Sequence, residues 1–380
     1  MTKKLELSRY KPNFADPRVI KRVDTVLAFC RPMLLEKRAR RISSEVLVQH
    51  FGAMSSRLSM RLRHKLLQQE DSYSVGKCPF SYSVKRDGYL EMAAAIGVEV
   101  GSTTQVAQSL FGGIADGTEV ITYKETTPGL RRYHPVQNLS KAIRAQVFKG
   151  WYDYDIEAAA PTLVYGLAHD VHMRVSGERK IVPYPTVAQL VDDRASVRSH
   201  IAQVADVDLK VAKSIVTALF FGAKLIPHSK QAIFKLVGGD KSIMQRLDDD
   251  PFLKAYRDDI STMWMILLGN KEIQSLLDNP DISDALGKIA ENRRRMHLYL
   301  RLERLVMDVV VEELGKYGDT PVLIHDGFMV KRQVDVKALE IAVLEKTGMS
   351  IRFSETVIGV SSECVLDSPE FDVEELIELS

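Results

Sequence analysis

The sequence predicts a mixed α+β protein, rich in helices, from three observations. Residues 17–70 and 165–315 keep apolar residues at helical spacing over long stretches. YDYDIE, residues 152–157, alternates apolar and acidic side chains with the period of two that a strand requires. PVLIHDGFMVKR, residues 321–332, has two short apolar runs around an Asp-Gly pair, which is the usual signal of a β-hairpin.

The composition is that of an ordinary globular chain. Its 380 residues are enough for two or three domains, with 45% apolar and 27% charged residues. No run of about 18 apolar residues occurs, and MTKKLELSRYKP lacks the apolar centre of a signal peptide, so we expect a cytoplasmic protein with no membrane partner. Cys30, Cys78 and Cys364 follow no motif, which argues against a disulfide framework and a zinc site.

Residues 1–70 are the most basic part of the chain. They contain 16 Lys or Arg against 6 Asp or Glu. Such a surplus is expected of a surface that follows phosphate backbones, although helices with solvated arginine faces give the same pattern. The last 20 residues carry seven acids and no base, and such a tail would avoid that surface.

Residues 71–135 differ from both flanking regions in composition. They are richer in Gly, Ser, Thr and Tyr, and VITYKETTPGLRRYHP at residues 120–135 predicts strands and turns. We therefore expect a domain boundary in this region. Helices are expected again from about residue 165, with breaks at VPYP, LVGGDK and LDNPDIS.

The strand at 152–157 places three carboxylates, those of Asp153, Asp155 and Glu157, on one face. Two carboxylates about 4 Å apart repel by roughly 4 kcal/mol at an effective dielectric constant of 20. The pattern is therefore costly unless the acids are solvated, protonated or neutralised by a cation. A divalent-metal site and an exposed acidic edge would each remove this cost.

The predicted helix DVDLKVAKSIVTALFFGAK, residues 206–224, has one polar face. At 100° per residue, Asp206, Lys210, Lys213, Thr217 and Phe221 lie within roughly 80° of one another. Ammonium groups on such a face can bind phosphates, and a ring can stack on a base or sugar. The solvated face of an ordinary amphipathic helix gives the same pattern.

Three motifs in this order resemble those of the DNA polymerase I family and of its relatives, the phage-type single-subunit RNA polymerases. They are an acidic strand, a lysine helix that ends in Phe-Gly, and a His-Asp hairpin, although Asp-Gly is also common turn chemistry. The resemblance covers residues 130–335, with separations of 58 and 113 residues between the motif centres. The matching residues are Asp155 and Pro161, then Lys213, Phe221 and Gly222, then His325 and Asp326.

The resemblance implies a template-directed nucleotidyltransferase with two-metal-ion chemistry. Asp155 and Asp326 would hold two Mg²⁺ ions, with Mn²⁺ as the alternative ion, and the Ile156 carbonyl would be a third ligand. Lys213 would bind the triphosphate and assist the leaving group, so it joins the two aspartates as a catalytic residue. Asp153 is the rival for the first ligand, and the spacing to the downstream proline favours Asp155.

The resemblance also implies nucleotide and nucleic-acid contacts. GLRRYHPVQNLSKAIRAQVFKG, residues 129–150, resembles the basic segment before the first motif, and residues 291–314 replace the helix before the hairpin, without its usual Gln-Gly. The partners would be a template, a nascent strand, NTPs or dNTPs, and a helicase or other replication protein. The nucleotide would contact Lys210, Lys213, Thr217, Phe221, Gly222, Ala160 and Arg144. The template or primer would contact Arg131, Arg132, Gln137, Asn138, His325, Arg294 and Arg301.

Ala160 bears on the choice of sugar. In DNA polymerases of the resembling families, the residue five positions after the catalytic Asp is a bulky Glu or Tyr that blocks a 2′-hydroxyl, whereas phage-type RNA polymerases have a small residue there. Those RNA polymerases place a Tyr at the position of Phe221, and its hydroxyl helps to reject deoxynucleotides. We therefore expect an RNA polymerase or primase that accepts NTPs and tolerates dNTPs. The alternative is a DNA polymerase that lacks proofreading.

The resemblance implies a right-hand architecture. Residues 1–130 would form a basic, mostly helical thumb-like region, 131–165 the first part of an antiparallel-sheet palm, 166–289 helical fingers, and 290–380 the second palm part with an acidic tail. From other classes, the alternatives are a non-catalytic nucleic-acid-binding protein with this fold and a metal-dependent phosphohydrolase that requires His169 or His172.

Overall fold

The chain folds as a mixture of helices and small antiparallel sheets, as the sequence predicts. The computed structural model describes residues 12–36, 39–53, 55–70, 80–98, 103–125, 130–176, 182–277 and 291–359. Cys78, Cys364 and the acidic tail lie outside these residues. The four regions expected from the sequence stay a prediction.

Contacts divide the chain into two compact units. The first unit comprises Met1–Thr122, His134–Gly150 and Val357–Ser368. The second unit comprises Tyr123–Tyr133, Trp151–Thr356 and Pro369–Ser380.

The first unit has a small helical core beside a three-stranded antiparallel sheet of order β1-β3-β2. Asp16 and Ser43 cap the first two helices by accepting main-chain N–H groups. Cys30 is buried in this core, which raises the pKa of its thiol to about 12 and keeps it unreactive. The helices are α1 (Pro17–Cys30), α2 (Ser44–Phe51), α3 (Arg57–Leu66), α4 (Arg86–Ala95), α5 (Thr103–Asp116) and α6 (Lys141–Val147), and the strands are β1 (Arg40–Ile42), β2 (Leu67–Gln69) and β3 (Phe80–Val84).

One expectation for this unit was wrong. The segment 17–70 was expected to be helical throughout, but it also contains β1 and β2. Both strands pair with β3, which lies more than ten residues further along the chain, so no local pattern reveals them. No secondary structure was predicted for residues 80–116, where β3 and the helices α4 and α5 lie.

The second unit is mostly helical, and its main core joins the helices to one face of a four-stranded sheet. Trp264 is fully buried at its centre, and its indole N–H donates to the Phe220 carbonyl at 2.7 Å. The helices are α7 (Ala159–Ser176), α8 (Pro185–Asp192), α9 (Arg194–Ala205), α10 (Leu209–Phe220), α11 (Ala232–Leu236), α12 (Lys241–Asp249), α13 (Pro251–Gly269), α14 (Lys271–Leu277), α15 (Glu291–Gly315) and α16 (Val336–Thr347).

The four-stranded sheet contains both predicted strand motifs. Its order is β7-β8-β6-β9, and β6 and β7 each pair with β8 in antiparallel fashion. Tyr154 and Phe328 are opposite each other, fully buried, with ring centroids 5.0 Å apart. The strands are β6 (Tyr152–Ile156), β7 (Val322–Ile324), β8 (Gly327–Val330) and β9 (Phe353–Val357), and a separate pair is formed by β4 (Lys124–Glu125) and β5 (Arg132–Tyr133).

Within the described part of the chain, no helix has both the length and the apolar character needed to cross a membrane.

Candidate active site at the hairpin tip

The pairing of β6 with β8 makes Asp155 and Asp326 neighbours. Asp155 lies opposite Gly327, and the Ile156 N–H donates to the Asp326 carbonyl at 3.1 Å. A Cβ atom at position 327 would overlap the Asp155 carboxylate, so only glycine fits there. The Asp155 side chain is exposed and that of Asp326 is half-buried. The backbone pairing therefore brings these two acidic residues, which are distant in sequence, to one end of the sheet.

The β7–β8 turn that carries Asp326 contains a strained residue. Ile324 pairs with Gly327, so the turn consists of only His325 and Asp326. His325 has a φ of 54°, in the left-handed region that such tight turns favour but that non-glycine residues rarely adopt. A backbone of this kind costs about 1–3 kcal/mol and persists only when its surroundings hold it.

A buried ion pair lies beside this turn. Arg131 donates from Nε to Oε1 of Glu303 at 2.9 Å and from Nη2 to Oε2 at 2.6 Å. The two side chains are only 7% and 3% exposed. The remaining terminal nitrogen, Nη1, lies 3.4 Å from Nδ1 of His325. One guanidinium group therefore links helix α15 to the hairpin tip.

Acidic side chains around Asp326 make its ionisation unfavourable. Burial raises the pKa of Asp326 to about 7, the charges of Glu303 and Asp155 add to the increase, and Arg131 opposes it. Burial and the charges of Glu303 and Asp326 also raise the pKa of the Tyr299 phenol well above its usual value. The site therefore holds more negative charge than its own arginine neutralises.

This excess charge fits a divalent cation. Mg²⁺ is commonly held by one or two carboxylates, with water and substrate phosphates completing its shell, and Asp155 with Asp326 supplies such a pair. Within the described ranges no group of three or more His, Cys, Asp or Glu side chains could hold a metal ion. The remaining ligands would therefore be water, substrate or a main-chain carbonyl such as that of Ile156.

The other two acids of β6 lie in different surroundings. Asp153 is half-buried opposite Met329, further from the turn than Asp155. Glu157 lies 3.4 Å from Arg194 of α9 and 3.8 Å from Arg352, measured between nitrogen and carboxylate oxygen. Sequence reasoning missed both arginines, because no motif connects them to β6.

The lysine face of α10 is shorter than the sequence predicted. Asp208 caps the helix by accepting the Val211 N–H at 2.7 Å, so Asp206 precedes the helix. Lys213 is exposed and Lys210 is half-buried, and no carboxylate in the described part of the chain pairs with either. The Thr217 hydroxyl donates to the Lys213 carbonyl at 2.9 Å. These residues leave two ammonium groups available to a phosphate ligand.

Phe221 does not share that exposed face. The helix ends at Phe220, so the chain turns and Phe221 becomes buried, with its ring 5.8 Å from that of Tyr299. Gly222 follows with a φ of 97°, and a Cβ atom there would lie 2.8 Å from Oδ1 of Asn292. The end of α10 therefore packs closely against α15, the helix that carries Glu303.

The other predicted contact residues of the second unit lie on several elements. Arg132 donates from Nη2 to Asp308 at 3.0 Å, which leaves it in an exposed ionic network. Arg294 and Arg301 are half-buried on α15. Ala160 is buried near the start of α7, four residues beyond the end of β6.

Three predicted contact residues belong to the first unit. Gln137 is buried, and its side chain accepts the His134 N–H at 3.3 Å, so it stabilises a short 3₁₀ turn that ends at Asn138. Arg144 is half-buried on α6. The contacts of Gln137 are those of a turn-forming residue.

The two histidines of the alternative hydrolase site have different neighbours. Nδ1 of His169 lies 3.9 Å from the carboxylate of Asp170, and the ring of His172 packs edge-on against Tyr184 with centroids 6.1 Å apart. Neither histidine belongs to a metal-binding cluster within the described residues.

No family model and no curated protein match this chain. A solved structure that is similar to this chain is the POL domain of Pol1 from M. smegmatis in complex with DNA primer-template and dNTP. The similarity covers 90% of this chain and 66% of the length of that structure. The identity is 11% and the TM-score is 0.39, and a likeness of this strength carries no argument about chemistry.

Proposed function

We propose that this protein is a template-directed nucleotidyltransferase that joins nucleotides to a growing nucleic-acid strand. The observation that carries the proposal is the meeting of Asp155 and Asp326 at one end of the sheet, where burial and neighbouring acids raise the pKa of Asp326 to about 7. A pair of carboxylates that repel each other gains most from divalent cations, which this reaction uses.

In this proposal Asp155, Asp326 and the Ile156 carbonyl would hold two Mg²⁺ or Mn²⁺ ions. When bound, such ions activate the 3′-hydroxyl of the nascent strand and neutralise charge on the triphosphate. Lys213, with Lys210 beside it, binds the triphosphate through ammonium groups that have no carboxylate partner in the described part of the chain. The Lys213 ammonium then stabilises the charge that develops on the departing pyrophosphate.

We propose ribonucleotides as the preferred substrates, because Ala160 is too small to block a 2′-hydroxyl. Phe221 lacks the hydroxyl that would reject deoxynucleotides, and its ring packs in the core with Tyr299 and Trp264. Its contribution is therefore to hold the end of α10 and Gly222 in place. The enzyme would be an RNA polymerase or primase that tolerates dNTPs.

In architectural terms, the four-stranded sheet would be the palm and helices α8–α14 the fingers. The basic first unit would be a thumb-like clamp for the template, with Gln137, Asn138 and Arg144 in that unit. Arg132, Arg294 and Arg301 would contact the template or nascent strand from the second unit. A helicase is the further partner that this role implies.

One assay tests the function directly. The full chain is incubated with Mg²⁺ and single-stranded DNA, with and without a primer, and labelled NTPs and dNTPs are offered separately. We expect extension with NTPs, loss of synthesis in Asp155→Ala and Asp326→Ala, and retained template binding in both variants. Extension with dNTPs alone would favour a DNA polymerase without proofreading. Synthesis by Asp155→Ala at the wild-type rate would rule out the proposal.

A further inference from the structure

We propose that Arg131 and Glu303 are positioning residues that hold the β7–β8 turn in the conformation that presents Asp326. This role rests on the proposed function, because it explains the turn by the carboxylate that the turn carries. It replaces the template contact that the sequence predicts for Arg131.

The contacts of Arg131 support this role. Glu303 receives hydrogen bonds from Nε and Nη2, and the third nitrogen, Nη1, lies 3.4 Å from the imidazole of His325. Bidentate pairing fixes the plane of the guanidinium group, which in turn fixes the direction of Nη1. At 7% exposure, Arg131 has little surface left for a nucleic acid.

The turn needs such a contact because it is strained and carries a carboxylate that neighbouring carboxylates repel. His325 is in the left-handed region, and the next residue is Asp326, whose carboxylate is repelled by those of Asp155 and Glu303. The Ile156 N–H holds the Asp326 carbonyl, but it does not set the direction of the Asp326 side chain. Arg131 attracts that side chain and contacts the strained residue before it.

If the Arg131–Glu303 pair only stabilises the fold, replacing it should give a different result than if it positions the turn. Replacing both members of a buried ion pair by apolar residues of similar volume is often neutral or stabilising for the fold. A pair that only fills the core can therefore be replaced, whereas a pair that directs His325 cannot.

The decisive variant is Arg131→Met/Glu303→Leu in the full chain, with Mn²⁺ binding measured by electron paramagnetic resonance without nucleotide or template. We expect a melting temperature within about 4 °C of wild type and Mn²⁺ affinity weakened by about tenfold or more, the usual effect of losing a residue that orients a metal ligand. In synthesis assays kcat should fall while KM for the nucleotide stays unchanged. The matched control is Arg332→Met/Asp319→Asn, a pair 2.9 Å apart whose arginine is exposed. It should change neither the Mn²⁺ affinity nor kcat.

Wild-type Mn²⁺ affinity in a folded double variant would overturn the positioning role and leave the proposed function intact. Failure of the wild-type protein to bind Mn²⁺ would instead overturn both. If the double variant does not fold, His325→Asn and His325→Ala decide the matter. Asn tolerates the left-handed region and offers Arg131 an acceptor, so its Mn²⁺ affinity should persist, whereas Ala should weaken it. Equal affinity in these two variants would contradict the proposal.

Discussion

Helix α15 carries two neighbouring ionic clusters that differ in their contact with water. Glu303 and its partner Arg131 are 3% and 7% exposed. The next residue, Arg304, bonds to Glu125 at 2.6 Å and to Asp308 at 2.8 Å, and these carboxylates are 33% and 43% exposed. Adjacent residues of one helix thus form a buried pair on one side and a hydrated network on the other.

The same pairing chemistry therefore performs two tasks on this helix. In the interior each charge depends on its partner, because neither can return to water without disrupting the fold. In the second cluster water solvates the carboxylates, so each pair adds little stability and is readily replaced. The buried pair can therefore hold a neighbouring group in place, whereas the exposed network attaches the β4–β5 segment to α15.

The largest effect is expected when the buried pair is broken on one side only. Glu303→Ala leaves the Arg131 charge buried without its carboxylate, which should lower the free energy of unfolding by about 3–5 kcal/mol. Urea unfolding of the full chain measures this, with Asp308→Ala as the exposed control. A loss below about 1 kcal/mol, which is typical of a surface pair, would contradict the expected difference between the two clusters.

A pH-dependent effect on stability is expected at Asp326. Its pKa is raised from 3.8 to about 7 by burial and by Glu303 and Asp155, against the opposing Arg131 charge and beside the Tyr299 phenol. Because the folded state holds its proton more tightly than the unfolded state, the free energy of unfolding should fall as pH rises from 3.8 to about 7. The slope is at most about 1.4 kcal/mol per pH unit, and the loss should level off above that window.

Asp326→Asn is the control for this pH dependence. The variant should be less sensitive to pH than wild type in urea unfolding between pH 5 and 7, since the amide does not titrate. Adding Mg²⁺ should recover wild-type stability at pH 7 and leave the variant less affected. Identical pH profiles for the two proteins would show that the carboxyl of Asp326 is not responsible.

Breaking the exposed network should have a still smaller effect. Glu125→Gln removes one partner of Arg304 and should lower the free energy of unfolding by less than about 1 kcal/mol. The difference should shrink further in 0.5 M NaCl, where the Debye length is only about 3–5 Å. A loss comparable with that of Glu303→Ala would mean that exposure does not decide the strength of these pairs.

The smallest effect on stability is expected at Lys213, which has no carboxylate partner among the described residues. Lys213→Ala should change the free energy of unfolding by no more than about 0.5 kcal/mol. If the proposed function is correct, the variant should nevertheless lose nucleotide incorporation. The exposed Lys224, on the segment just after α10, provides the matched control, and Lys224→Ala should retain both properties. Equal incorporation by the two variants would remove Lys213 from the proposed site.

Local patterns in the sequence predicted the elements whose signals lie within a few residues. The alternation of residues 152–157 and the Asp-Gly pair predicted β6 and the β7–β8 hairpin, because period and turn chemistry are local properties. The lysine helix was also found, but its polar face was extended past the Asp208 cap and past Phe220, where the backbone leaves the helix. A helical projection carries no information about where the helix stops.

Long-range contacts could not be predicted in this way. Arg131 and Glu303 are 172 residues apart, and both look like ordinary exposed charges in the sequence. The sequence around Gly222 does not indicate that helix α15 packs against this residue. Such pairings depend on how the elements pack, and without a known partner each charged residue is most simply interpreted as solvated.

Gly327 sets a limit on how this chain can change. Its hydrogen atom occupies space into which even a methyl group could not fit without displacing the carboxylate of Asp155 and the main chain of Tyr154. In a library of random substitutions, position 327 should therefore be as intolerant as the proposed metal ligands, Asp326 before it and Asp155 opposite it, although glycine takes no part in any reaction. Selection at that codon would act only on the volume of the side chain.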